Sequence, residues 1–132
     1  MEQATDSALS ALREFQRRMV DLQFEAEAIQ HSLTRPDLLA LARRTRELSR
    51  RTKGLLDGNT GVLFPHDPPR VTEELYEHVE FARAQISRAL AEEHDFETIA
   101  QRLYMAVALC SYVIGQVALA VEKLLNEGGP PA

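Results

Sequence analysis

Apolar residues recur along this chain in alternating steps of four and three, which is the spacing of a helix face that packs against other helices. The series falls into four stretches, residues 6–33, 36–57, 72–93 and 96–126. Every position of the first series is apolar: Ala8, Leu12, Phe15, Met19, Leu22, Ala26, Ile29 and Leu33. The pattern therefore predicts four long helices, each with one apolar seam.

The other three helices carry similar seams, of which only Thr45, Thr52 and Glu93 are not apolar. The full set is Leu38, Leu41, Thr45, Leu48, Thr52 and Leu55, then Leu75, Val79, Ala82, Ile86, Ala89 and Glu93, then Phe96, Ile99, Leu103, Ala106, Cys110, Val113, Val117, Ala120 and Leu124. A sustained repeat of 3.5 residues is typical of left-handed packing with crossing angles near +20°. We therefore expect one all-α domain over residues 1–132, an antiparallel up-down-up-down four-helix bundle with heptad-type packing.

The helix ends are marked by residues that break or cap helices. Pro36 and Asp37 restart the chain after the first helix, Thr72 begins the third and Asp95 caps the fourth. Residues 58–71 form the one long connection, and their three prolines exclude a continuous helix there.

The fourth predicted helix is more apolar than one seam requires. From Leu103 to Val121 it holds no charged residue, and its outward positions include Tyr104, Ala108, Tyr112, Gly115 and Leu119. A helix that is apolar all round is covered on all sides by protein or lipid. We expect these five residues to bind a second copy or another protein, which makes the chain a homo-oligomer or one half of a complex.

A membrane span is the other interpretation of this segment, because nineteen residues approach the thickness of a bilayer. The sequence disfavours it. The heptad register continues through Phe96 and Leu124 outside the uncharged stretch, and the stretch itself is rich in alanine and contains Gln116.

The chain has a net charge of −5, yet residues 34–57 carry +4. On the outermost face of the second predicted helix lie Arg43, Arg46, Arg50 and Lys53. This basic face fits nucleic acid or another anionic partner. It equally fits a solvated helix face that the acidic first and third helices neutralise, and the overall acidity of the chain does not favour nucleic acid.

The single cysteine and the N-terminal sequence indicate a cytoplasmic protein. Cys110 cannot form an internal disulfide, and the first residues have neither the basic nor the apolar stretch of a secretory signal. Because Cys110 lies on the inward seam, we expect a small core residue rather than a nucleophile. Thr45 and Thr52 are expected to bond back to their own helix or to fix its register.

No metal or cofactor site is predicted. Bundles that bind two metals through carboxylates need Glu-x-x-His motifs on inward faces, whereas here Glu27 and His31, and likewise Glu74 and His78, are four residues apart and face outward. His66 is isolated in the 58–71 connection.

The segment Arg50-Arg51-Thr52-Lys53-Gly54 resembles the His-x-x-Lys-Gly signature of histidine-phosphotransfer domains, which are also four-helix bundles. Lys53 and Gly54 match it, but Arg50 occupies the place of the phosphoacceptor histidine. The resemblance therefore implies an interaction domain without phosphoryl relay at this position.

Arg88 and His94 match the Arg-x(4–6)-His spacing of HEPN domains, helical dimers many of which cleave RNA without a metal. The resemblance implies that His94 acts as acid or base and that Arg88 stabilises the phosphorane. About one such spacing is expected by chance in a chain of this composition, and Ala89 replaces the polar residue that usually follows the arginine.

Three functional hypotheses follow. The first is a non-enzymatic interaction or adaptor protein that self-associates through the outer face of the fourth predicted helix. The second is a nucleic-acid-associated regulatory or accessory protein that uses the basic second helix. The third is a HEPN-like metal-independent ribonuclease, or an inactive relative, using Arg88 and His94.

Overall fold

The computed structural model describes residues 2–34, 37–91 and 95–127, with side chains from Ser7 onward. These residues form an all-helical structure of five helices that pack together, and no described residue lies in a β-strand. The helices are α1 (Glu2–Ser32), α2 (Leu38–Leu56), α3 (Thr60–Leu63), α4 (Pro69–Ala91) and α5 (Phe96–Asn126). Four of them correspond to the predicted helices, with α5 as the fourth.

The predicted cap of α5 is confirmed in atomic detail, whereas α2 begins at Leu38, two residues after the predicted start, with Asp37 as its cap rather than in its first turn. Asp37 caps α2 by accepting a hydrogen bond from the backbone N–H of Ala40 at 3.1 Å. Asp95 caps α5 in the same way, accepting from the backbone N–H of Thr98 at 2.9 Å. Each carboxylate satisfies a donor that a helix N-terminus leaves without an intrahelical partner. Pro36 and the predicted helix end at residue 93 lie outside the described residues.

The predicted start of the helix after the long connection was wrong by three residues. The helix α4 begins at Pro69, and Thr72 lies within its first turn, where its Oγ1 donates to the carbonyl of Pro69 at 2.9 Å. Proline suits a first helical position because the backbone N–H at that position has no intrahelical acceptor, so a residue without an N–H loses no hydrogen bond there. The preceding connection also contains the short helix α3, which the prediction of one long loop over residues 58–71 did not include.

The helix α5 is the centre of the packing. It contacts α1, α2, α3 and α4, while α2 also contacts α1 and α4. Its inward seam is fully buried between residues 103 and 117: Leu103, Ala106, Cys110, Val113 and Val117. Of the described seam positions only Phe96 is exposed, at 39%, because it lies at the first residue of α5, where the other helices no longer cover it.

Thr45 and Thr52 are buried in the seam of α2, and both bond back to their own helix. Thr45 Oγ1 donates to the carbonyl of Leu41 and Thr52 Oγ1 to the carbonyl of Leu48, each at 2.7 Å. These bonds satisfy hydroxyls that burial would otherwise leave without a partner. The prediction that the two threonines bond back to their own helix is therefore confirmed.

Candidate functional site

The outer face of α5 is apolar and open to solvent. Tyr104 is 51% exposed, Tyr112 47% and Leu119 61%, Ala108 is exposed, and Gly115 is half-buried. All five predicted interface residues thus lie on the side of α5 that its own fold leaves uncovered. Large exposed apolar patches on soluble proteins commonly mark interaction sites.

Apolar side chains on the two flanking helices widen this face. On the α1 side, Val20 is 43% exposed and lines a groove of about 480 Å³ together with Tyr112, Gly115 and Leu119. On the α4 side, Phe81 is 52% exposed one helical turn beyond His78. The His78 ring stacks on the Tyr112 ring with centroids 5.0 Å apart, so Tyr112 is held in place by α4. We call the exposed parts of Tyr104, Ala108, Tyr112, Gly115 and Leu119, with Val20 and Phe81, the α5 face.

Gly115 has no structural reason of its own to be glycine. An added Cβ would meet no atom within 4 Å, and the residue has no positive φ. A glycine within a helix costs about 1 kcal/mol of stability relative to alanine. Gly115 therefore lowers the stability of the fold and leaves a gap in the α5 face, although no contact within a single copy requires that gap.

In length and composition α5 could also cross a membrane, and it is the one such helix among the described residues. Within its most apolar 18-residue stretch, 44% of the residues are buried inside the protein. The buried residues of α5 are members of the inward seam together with Val107, Ile114 and Val121 beside it, and the exposed remainder contains the α5 face.

Three of the four residues in the predicted basic patch of α2 line one cleft, and the fourth does not. Arg46, Arg50 and Lys53 line a cleft of about 380 Å³ between α2 and α4, and Arg83 of α4 lines the same cleft. Arg43 is exposed but does not line it. Sequence reasoning missed Arg83 because no pattern within α2 or α4 shows that these two faces meet.

Most of the basic side chains have carboxylate partners close by in the sequence. Arg50 pairs with Glu47 at 2.6 Å, Lys53 with Asp57 at 3.6 Å, and Arg83 with Glu80 at 3.1 Å, all near the surface. The hydrogen bond from Arg50 holds the pKa of Glu47 below its ordinary value. Exposed pairs of this kind contribute about 0–1 kcal/mol and exchange readily with solvent ions.

Ser49, Thr52 and Cys110 form a small polar cluster in the core beneath the cleft. Cys110 is fully buried, and burial raises the pKa of its thiol to about 11, while the hydroxyls of Thr52 and Ser49 act in the opposite direction. The expectation that Cys110 is a core residue rather than a nucleophile is consistent with this, because the reactive form of a cysteine is the thiolate.

The proposed ribonuclease pair is Arg88 and His94, and the structure describes only the first of these residues. Arg88 is exposed in the last turn of α4, whereas His94 lies outside the described residues. Of the other histidines, His31 pairs with Glu27 at 3.7 Å, and His78 Nδ1 donates to the carbonyl of Glu74 at 2.7 Å. Within the described part of the chain, no three His, Cys, Asp or Glu side chains converge as metal ligands would.

Comparisons with known proteins supply no relative for this chain. No protein-family model matches it, and searches of the curated proteins and of the solved structures each find no match. The functional argument therefore depends on the surfaces described above.

Proposed function

We propose that this protein is a non-enzymatic interaction protein that forms a homodimer through the α5 face. The observation that carries the proposal is the exposed apolar series on α5, which has no charged residue between Tyr104 and Leu119. Burying such a surface against a second copy removes apolar area from water, at roughly 25 cal/mol per Å².

We infer that the long helices form the antiparallel four-helix bundle that the heptad spacing predicts. The contacts support a cyclic order α1, α2, α4, α5, since α1 contacts α2, α2 contacts α4, α4 contacts α5 and α5 contacts α1. The additional contact between α2 and α5 indicates that these two form the short diagonal. In such a bundle each helix keeps one face outside, and that of α5 is the apolar one.

The spacing on the α5 face favours a second helix as its partner. Steps of four, four, three and four separate Tyr104, Ala108, Tyr112, Gly115 and Leu119, which is close to the spacing that packs helices side by side. Small residues at two of the five positions allow the backbones of two helices to approach closely. Larger residues at the other three supply contact area.

Charge at the ends of the face favours an antiparallel pair of α5 helices. A parallel pair would place Glu97 against Glu97 of the partner subunit and Glu122 against Glu122 of the partner subunit, which is repulsive. An antiparallel pair centred between residues 111 and 112 places Glu122 opposite Gln101 of the partner subunit. The two small residues, Ala108 and Gly115, then face each other across the two-fold axis.

Such a dimer needs both flanks of the α5 face. A specific interface buries about 800 Å² of each partner, roughly a tenth of the 8351 Å² that this chain exposes. A single helix pair seldom reaches that area. Val20 of α1 and Phe81 of α4 are both exposed and are the apolar residues of the flanking helices that we expect to add to this area.

We also propose that the protein works in the cytoplasm. Its one cysteine, Cys110, is buried and unavailable for a disulfide, which fits a reducing compartment. An adaptor role follows naturally from a dimer whose remaining helices present charged outer faces.

Light scattering of the purified protein tests the dimer. We expect twice the chain mass of 14.8 kDa at tens of micromolar. Leu119→Glu should give a monomer because it places a charge within the apolar contact. Gly115→Leu should do the same by blocking close approach. The helical circular dichroism of both variants should be unchanged, since both sites are open in one copy.

Leu39→Glu is the matched control, because Leu39 is 55% exposed and lies on α2 away from the α5 face. It should leave the dimer intact. A strictly monomeric wild type, or loss of the dimer in Leu39→Glu as well, contradicts the proposal. So does a wild type that partitions into lipid vesicles through α5.

A further inference from the structure

We propose that the cleft between α2 and α4 binds a small phosphorylated molecule. The inference is independent of the dimer. Of the described residues that line the cleft, four are basic and none is acidic: Arg46, Arg50, Lys53 and Arg83, beside Ser49, Ile86 and Ser87. The chain as a whole has more acidic than basic residues, so this segregation of charge is not a consequence of composition.

The four cations come from two different helices and converge on one space. On the α2 wall Arg50 lies about one turn and Lys53 about two turns beyond Arg46, and Arg83 lies on the α4 wall. Each of the paired carboxylates neutralises one cation at a time, whereas an anion within the cleft would attract all four cations at once. Arginine side chains bind phosphate through two parallel N–H donors, which makes phosphate the anion that fits best.

The carboxylate partners of these side chains do not fill the cleft. Glu47, Asp57 and Glu80 pair with them from positions outside its lining. Because exposed pairs of this kind contribute little, a phosphate carrying two or more charges can replace them.

The walls of the cleft are held in place at its far end. Tyr76 Oη of α4 donates to Asp57 Oδ1, just beyond the C-terminus of α2, at 2.9 Å. A binding site held by rigid helices loses less entropy on binding than one built on loops.

A buried polar group lies at the floor. Ser49 is 1% exposed, and within the described part of the chain its hydroxyl makes no bond of hydrogen-bond geometry. It lies close enough to Cys110 to lower the pKa of that thiol slightly, but sulfur is a weak partner. With only a thiol nearby, the Ser49 hydroxyl retains hydrogen-bonding capacity, and a ligand-bound water that reaches the floor of the cleft would use it.

The size of the cleft favours a small molecule over a nucleic acid. A volume of about 380 Å³ lies within the range of small-molecule sites, about 300–1,000 Å³. Ile86 and the aliphatic parts of the arginines offer apolar surface to the rest of the ligand. A nucleic-acid track along α2 would also use Arg43, an exposed arginine that lies outside the cleft.

Titration calorimetry with inorganic phosphate, pyrophosphate and tripolyphosphate tests the inference. We expect saturable binding at one site per chain that strengthens with ligand charge. Arg83→Gln should weaken pyrophosphate binding by roughly ten- to a hundredfold, the value of one charged hydrogen bond. Ser49→Ala should weaken it less and should not lower the stability of the fold.

Arg43→Gln is the matched control, since it removes the same charge from the same helix outside the cleft. At physiological salt it should leave pyrophosphate binding within about twofold, because Arg43 does not line the cleft and its exposed charge is weakened by solvent and ions. Equal losses in Arg43→Gln and Arg83→Gln, or no saturable binding at low salt, would overturn the inference. So would tighter binding of a single-stranded oligonucleotide that depends on Arg43, because that result indicates a nucleic-acid surface.

Discussion

Along α5, the inward seam and the outer face differ in what covers them rather than in how apolar they are. The inward seam from Leu103 to Val117 is buried completely by α1, α2 and α4. The α5 face, on the other side of the same turns, leaves Tyr104, Tyr112 and Leu119 about half or more exposed. Both faces use residues spaced for helix packing, but the fold of one chain satisfies only the first.

The side chains on the two faces also differ in kind. The inward seam holds valine, leucine, alanine and cysteine, which fill a close-packed interior without polar atoms to satisfy. The α5 face holds two tyrosines, whose hydroxyl groups need water or a polar partner. Tyrosine is enriched at protein interfaces and is less often fully buried in cores. The difference indicates that the inward seam of α5 packs within the folded chain, whereas the α5 face is suited to contact with another molecule.

The largest expected effect comes from shortening a residue of the inward seam. Leu103→Ala should lower the free energy of unfolding by about 2–5 kcal/mol, because Leu103 is fully buried and its removal leaves a cavity. Urea denaturation at a protein concentration low enough to keep the chain monomeric measures this loss.

Leu119→Ala is the comparison, since it deletes the same atoms from the exposed face. At low concentration it should change the free energy of unfolding by no more than about 0.5 kcal/mol. At high concentration, where a dimer adds to apparent stability, it should become destabilising. Equal costs for the two variants in the monomer would show that the two faces of α5 are not different in kind.

The second expected effect depends on pH and belongs to the inward seam alone. The folded chain raises the pKa of Cys110 from its ordinary value of 9.0 to about 11, mainly through burial. Between these values the unfolded thiol ionises while the folded thiol keeps its proton. The folded state then binds more protons, so the free energy of unfolding falls as pH rises from 9 to 11. The fall attributable to the thiol is about 2–3 kcal/mol.

Cys110→Ala separates this fall from that of other groups. Tyr76, whose pKa is also raised by burial and by Asp57, titrates in both proteins and cancels in the difference. The wild-type advantage measured by urea denaturation at neutral pH should shrink as pH rises through the window of the thiol. A constant difference between the two proteins across that range would mean that Cys110 is less enclosed than the structure shows.

Sequence spacing predicted the helices and their inward faces because burial repeats with the period of the helix. It could not place Phe96, since coverage at the end of a helix depends on where its neighbours end. It also mistook Thr72 for a helix start, although Pro69 fits a first turn as well and lies earlier in the chain.

The two candidate surfaces differed in how far the sequence revealed them. The α5 face was visible as an uncharged stretch on a single helix, so Tyr104, Ala108, Tyr112, Gly115 and Leu119 could be named from the sequence. The basic cleft needed a pairing between α2 and α4. The spacing of residues within a single helix therefore could not identify Arg83 or Ser49 as residues of the cleft.

The smallest expected effect is that of replacing Gly115 by alanine. This one substitution should affect the stability of the monomer and the affinity of the dimer in opposite directions. Gly115 on the α5 face and Gly54 in α2 both leave open space for a Cβ, and neither has a positive φ. Gly115→Ala and Gly54→Ala should therefore each raise the free energy of unfolding of the monomer by roughly 0.4–1 kcal/mol, mainly by restricting the unfolded chain. In a dimer the added methyl at residue 115 enters the contact between backbones, so Gly115→Ala should raise the dissociation constant while Gly54→Ala leaves it unchanged. Urea denaturation at low concentration measures the first quantity and sedimentation equilibrium the second. A variant at residue 115 that is both more stable and equally well associated would show that the two copies do not approach closely at this glycine.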